Sequence, residues 1–125
     1  LPAQGSVEAA LRVLVRVYAP QSDCDVCVQL AIDQLALSRK MLLDYLSAGQ
    51  LQRLLLSPMV FASKKVWLLD EPFASLDSKW GVFFVEKIKE HCARGGVVIY
   101  TGHCDFSVSQ MPQCKRFLLE RVNVR

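Results

Sequence analysis

Apolar positions along the chain change pattern three times, and each pattern implies an element. Val7, Ala10, Leu11, Leu14, Val15 and Tyr18 recur at helical spacing, with Ser6 placed to cap the first turn, Glu8 inside it and Pro20 as the stop. After a turn at 20–25, a weaker helical pattern runs over 26–37 through Cys27, Leu30, Ala31 and Leu35. Ser47 stands where an N-cap would precede a third helix that starts near Gly49 and covers 50–60. Pro58 is the objection to that helix, because an interior proline removes a backbone hydrogen bond and costs about 3 kcal/mol unless the helix bends or ends there.

At 66–69 the helical period gives way to the continuous apolar run VWLL, which suits a strand buried on both faces of a sheet. Helical spacing returns at Trp80, Phe83, Phe84, Lys87, Ile88 and His91, and Gly95 and Gly96 supply a C-terminal stop. VVIY at 97–100 is rich in β-branched residues and reads as a second strand. Strand, helix and strand in this order predict a βαβ unit with a right-handed crossover. A further short strand is predicted at 116–122. The fold class is therefore α/β, with a helical portion preceding part of a mostly parallel sheet.

Composition narrows this picture a little. The chain has 125 residues, 52% of them hydrophobic and 22% charged, which fits one ordinary globular domain and excludes a disordered chain. No apolar stretch is long enough for a membrane-spanning helix, so direct membrane insertion is not expected. Fifteen Lys and Arg against twelve Asp and Glu leave a net charge of +3 without a basic block, too little to indicate nucleic acid. The five cysteines, Cys24, Cys27, Cys92, Cys104 and Cys114, are an odd number with no secretory signal beside them, and they read as free thiols in a reducing, cytosolic setting.

The strongest chemical signal is VWLLDEP, 66–72. A strand that delivers two adjacent carboxylates at its C-terminal end places them at the crevice where α/β sheets bind ligands. Asp70 could hold a hard cation such as Mg²⁺ through oxygen, while Glu71 polarises an attacking water. An isolated Asp-Glu pair before proline is more simply read as a cap for the next element, so the context decides. In LSAGQ, 46–50, a hydroxyl residue and a glycine open a helix, so the Ser47 side chain and the Gly49 amide could approach a phosphate, or Ser47 could simply cap. Arg53, then LLDEP, then Ser75-Leu76-Asp77, then Thr101-Gly102-His103 immediately after a strand follow in order.

This series resembles the ATP-binding subunit of ABC transporters, with Leu46 to Gln50 as the signature motif, Val66 to Glu71 as Walker B, Ala74 to Asp77 as the D-loop and His103 as the switch histidine. LSAGQ together with LLDEPF and ASLD looks most like the ATP-binding subunit of the haem exporter of cytochrome c biogenesis. The resemblance implies a P-loop NTPase-like (ABC ATPase) domain present in part: a helical signature subdomain at 1–56 and a Walker B and switch-histidine α/β part at 57–125. It implies ATP and Mg²⁺ as cofactors, with Asp70 holding the ion through water, Glu71 as general base and His103 at the γ-phosphate. Ser47, Ala48, Gly49 and Gln50 would face ATP bound to the opposite subunit of a head-to-tail dimer, and Asp77 would couple the two sites. Implied partners are a second ATPase subunit and membrane permease subunits, with the protein peripheral on the cytoplasmic side of the inner (cell) membrane and ATP hydrolysis linked to haem export.

No G-x-x-x-x-G-K-[ST] occurs in the 125 residues, so the cradle for the β- and γ-phosphates is expected upstream of Leu1 and Gln4 receives no role. Two alternatives follow: a non-hydrolysing module that pairs with an intact ATPase, and the ATPase subunit of another transporter. The remaining residues have plainer readings. Cys24 and Cys27 form a CxxC without a second pair at zinc-finger spacing, His91 packs or caps near Gly95, and Trp67, Trp80, Phe83 and Phe84 are core aromatics.

Overall fold

The computed structural model describes residues 5–102. Its elements follow from local capping and from one shared apolar cluster. Helix α1, Val7–Tyr18, begins where the Ser6 hydroxyl oxygen accepts the Ala9 amide, and it buries Val7, Ala10, Leu11 and Val15. Helix α2, Cys24–Leu35, begins where Asp23 accepts the Val26 amide and ends at Ala36, whose φ of 50° is left-handed. It therefore starts and stops two residues before the helix expected at 26–37. Leu37, beyond the left-handed residue, is still buried. Backbone bonds from Val7 N to Met41 O and from Leu43 N to Gly5 O tie the start of α1 to a short 3₁₀ turn, Leu43–Tyr45.

Helix α3, Ala48–Leu55, opens with a capping box: Ser47 Oγ accepts the Gln50 amide while Gln50 Oε1 accepts the Ser47 amide. The single helix expected over 50–60 is two helices. Pro58 is the first residue of a separate helix α4, Pro58–Phe61, where its missing N–H has no partner to lose and its fixed φ suits the helix start. The penalty foreseen for an interior proline does not arise.

Strand β1, Val66–Asp70, helix α5, Ser78–Ala93, and strand β2, Val97–Thr101, form the βαβ unit. The strands are parallel in the register Val66↔Val97 to Asp70↔Thr101. Burial along β1 alternates: Trp67 is 8% exposed, whereas Val66 and Leu68 are 53% and 74% exposed. The expectation that VWLL is buried on both faces is corrected among the described residues, because α5 and the helical cluster cover only the Trp67 and Leu69 side of the pleat. The strand expected at 116–122 lies outside the described residues.

A single core runs from α1 and α2 through Leu54, Leu56 and Met59 to Trp67, Phe84 and Ile88. Burial of this apolar set is the main force holding the helices on the sheet, and α4 packs on both α1 and α2. His91 takes the packing role expected of it. Its ring stacks on Trp67 with centroids 3.8 Å apart, and Nε2 lies 2.8 Å from the Lys65 carbonyl. No helix among the described residues is long and apolar enough to cross a membrane.

Candidate functional site

The parallel pairing of β1 and β2 sets Asp70 opposite Thr101 at the carboxyl end of both strands. Thr101 Oγ1 donates to Asp70 Oδ1 at 2.6 Å, a short charge-assisted bond that fixes one carboxylate oxygen. The Glu71 amide donates to the Thr101 carbonyl at 3.0 Å and approaches Thr101 Oγ1 at 3.2 Å. The chain turns sharply here: Glu71 has a φ of 44°, and its carbonyl accepts the Ala74 amide. Pro72 behind it is fully buried, and its carbonyl accepts from Gln52 Nε2 at 3.0 Å. Two exposed carboxylates thus stand side by side at the strand end, with the first anchored by the neighbouring strand.

A second group of expected residues lies at the start of α3. Ser47 and Gln50 hold each other in the capping box, and Ala48 and Gly49 form the first turn. Gly49 is the close approach in this turn. A Cβ built on it would stand 3.0 Å from the carbonyl oxygen of Ser75, which itself has a left-handed φ of 64°. The first turn of α3 is therefore seated against the loop that leads to Asp77. Asp77 caps α5, its Oδ1 accepting the Trp80 amide at 3.0 Å.

Arg53 joins these pieces from below. It donates from Nη1 to the Leu35 carbonyl at the end of α2, and its guanidinium lies 4.4 Å from the Trp80 ring centroid. Burial pushes its pKa down, and the nearby Asp77 carboxylate opposes that shift.

Asp70 and Glu71 are brought together with Thr101, and Ser47, Ala48, Gly49 and Gln50 with the Ser75 loop. His103 lies outside the described residues. Sequence reasoning named Ser75 and Thr101 only as members of the motif series, without a contact for either, and did not single out Gln52. The Thr101 contact could have been found by pairing the residues that directly follow the two predicted strands, while the contacts of Gln52 and Ser75 left no comparable signal. Hard oxygen donors in the Asp70 and Glu71 pair fit Mg²⁺ better than a soft metal. Among the described residues no group of three or more His, Cys, Asp or Glu forms a closed metal site.

No protein-family model matches the chain. In sequence it is 40% identical over 65 residues to the cytochrome c biogenesis ATP-binding export protein of Reclinomonas americana, covering 52% of this chain and 29% of that protein. The protein of the same name from Haemophilus ducreyi is 36% identical over 81 residues, covering 63% and 39%. That of Rhizobium etli is 33% identical over 96 residues, covering 75% and 45%. The chain thus spans less than half the length of these relatives.

Among solved structures, a putative ABC transporter ATP-binding protein from Pyrococcus furiosus superposes with a TM-score of 0.64 at 23% identity, over 82% of this chain and 52% of that one. A dimeric ATP-binding cassette in a post-hydrolysis state, bound to ADP and Pi, gives a TM-score of 0.69 at 20% identity, over 88% and 50%. The chain has the fold of about half of these ATP-binding cassette structures, and by sequence it is similar to the cytochrome c biogenesis ATP-binding export proteins.

Proposed function

We propose that the chain is the signature and Walker B part of an ABC transporter ATP-binding subunit that hydrolyses ATP to drive haem export for cytochrome c maturation. The observation that carries this reading is the strand-end arrangement: Asp70 anchored by Thr101, with Glu71 turned out of the strand directly after it. Asp70 would hold Mg²⁺ through a water, and bound Mg²⁺ would neutralise charge on the phosphate oxygens. Glu71 would accept the proton of the attacking water. Its position one residue past the end of the strand separates it from the Asp70 oxygen held by Thr101, so the two carboxylates can serve different partners.

His103 would contact the γ-phosphate. Ser47, Ala48, Gly49 and Gln50 would present the start of α3, with its positive dipole end, to ATP held by a second subunit in a head-to-tail dimer. Asp77, at the start of α5 and joined to α3 through the Ser75 contact and Arg53, would carry the state of one site to the other. The cradle for the β- and γ-phosphates is not among the 125 residues and would be supplied from outside them. Membrane permease subunits would be the further partners, placing the protein peripherally at the cytoplasmic face of the membrane.

Glu71→Gln in the complete protein tests the reading. Loss of the base should lower steady-state ATP hydrolysis by about 100-fold or more while nucleotide binding persists. Unchanged turnover would remove Glu71 as the base. If the wild-type protein binds ATP only together with an intact ATPase partner and never turns it over itself, the non-hydrolysing module is the correct reading.

A further inference from the structure

The first turn of α2 carries two thiols that the reading above does not use. Cys24 is the first residue of the helix and Cys27 lies three residues on, over the same face. Helix geometry places their Cα atoms about 5 Å apart, inside the range a disulfide bridges. Their environments differ. Cys24 is half-buried, and its sulfur accepts from Arg12 Nη1 at 3.8 Å. Arg12 also pairs with Asp25 at 2.8 Å and Glu8 at 3.2 Å, so it stands fixed beside the sulfur. Cys27 is 7% exposed and packs in the core. Burial pushes its thiol pKa up. Asp23, the helix cap, spends its carboxylate on the Val26 amide.

We propose that Cys24 and Cys27 form a thiol–disulfide exchange site that takes a low-molecular-weight disulfide of the glutathione type and closes to a disulfide within α2. An accessible first thiol beside a guanidinium and a helix N-terminus, followed by a shielded second thiol, is the division of labour such exchange requires. Among the described residues no third ligand accompanies the pair, which favours exchange over metal binding.

The Cys24 thiolate attacks one sulfur of the small disulfide, forming a mixed disulfide and releasing one thiolate, which takes up the proton Cys24 gave up. Cys27 then loses its proton and attacks the Cys24 sulfur, releasing the second small thiolate, which is protonated in turn. Two protein thiols are oxidised by two electrons, and one small disulfide is reduced to two thiols.

The full chain is equilibrated in glutathione buffers of increasing oxidised fraction, quenched in acid, alkylated and digested. Cys24 and Cys27 fall in one tryptic peptide between Arg16 and Arg39. That peptide should lose two hydrogens as the buffer is oxidised, with Cys92 either alkylated or carrying glutathione. In reduced protein, iodoacetamide should modify Cys24 at least about tenfold faster than Cys27. Cys27→Ser should stop the reaction at the Cys24 mixed disulfide. Alkylation of both thiols in every buffer, a wild-type mixed disulfide at Cys24 that never closes, or pairing of either thiol with Cys92, Cys104 or Cys114 would each overturn the proposal. The wild-type peptide mass decides between these outcomes even if a variant fails to fold.

Discussion

Gly96→Ala tests how β1 is held against α5. A Cβ at Gly96 would stand 2.2 Å from His91 Nε2 and 2.4 Å from Cδ2 and Cε1, far inside contact distance, so the ring must move. The imidazole has no easy exit: the residue is 8% exposed, the ring is stacked on Trp67, and Nε2 is bonded to the Lys65 carbonyl. Displacing it forfeits an aromatic stack of about 1 kcal/mol and a hydrogen bond of about 1 kcal/mol, and it exposes a ring worth about 1 kcal/mol in burial. The Lys65 carbonyl keeps its bond from Val97 N, and the alanine reduces unfolded-chain entropy by about 0.5 kcal/mol, which trims the loss. The expected destabilisation is about 2 to 3 kcal/mol, read as a fall in the urea midpoint of the full chain with an unchanged slope. The same change in a His91→Ala background meets no ring and should be neutral or slightly stabilising. An equal effect in both backgrounds, or less than about 0.5 kcal/mol in the wild type, would refute the reasoning.

Three further outcomes follow from named contacts. Thr101→Val removes the hydroxyl that holds Asp70 while keeping the side-chain volume. It should lower kcat/KM for ATP in the complete protein about tenfold, with Thr101→Ser restoring it. Glu8 is held below its ordinary value near 4.5 by hydrogen bonds from Arg39 and then Arg12, so the native state favours its charged form. The stability this contributes is complete above that value and is lost as pH falls through the depressed one, so Glu8→Gln should flatten the acid limb of thermal melts taken below about pH 5. Pro58→Ala should change stability by less than about 1 kcal/mol in urea melts, because the proline opens α4; a gain near 3 kcal/mol would return it to a helix interior.

The helices were legible where caps and period agreed. Ser6, Glu8 and Pro20 bracket α1 so closely that only one assignment satisfies all three. Pro58 misled because the first residue of a new helix and the interior of a longer one are spelled alike locally. What separates them is the turn at Leu56 and Ser57, where Ser57 is fully buried and keeps a helical backbone in spite of the following proline. The run VWLL misled for a related reason. Four apolar residues in a row carry no alternation, so which face is covered depends on what packs against the strand. At the site, Asp70 and Glu71 were readable because a strand end is a local event. The Thr101 contact with Asp70 was not, since it requires the register between strands thirty-one residues apart in sequence.

The backbone between β1 and α5 explains why the site is built from two strands and a helix cap together. Glu71 and Ser75 both hold left-handed φ angles, 44° and 64°, without being glycine, and each such residue costs on the order of 1 kcal/mol. The backbone bonds inside the loop, Ala74 N to Glu71 O and Leu76 N to Phe73 O, are long at 3.2 and 3.3 Å. The restraint comes from outside. Thr101 accepts the Glu71 amide, Gln52 holds the Pro72 carbonyl, the Gly49 turn leaves room for the Ser75 carbonyl, and Asp77 starts α5. Because those four supports belong to β2, to two positions on α3 and to the α5 cap, the direction of the Glu71 carboxylate depends on the mutual placement of all three elements. A shift of α3, whose first turn is the surface proposed to meet nucleotide on a second subunit, would bear on the loop that carries Glu71 through Gln52 and Ser75.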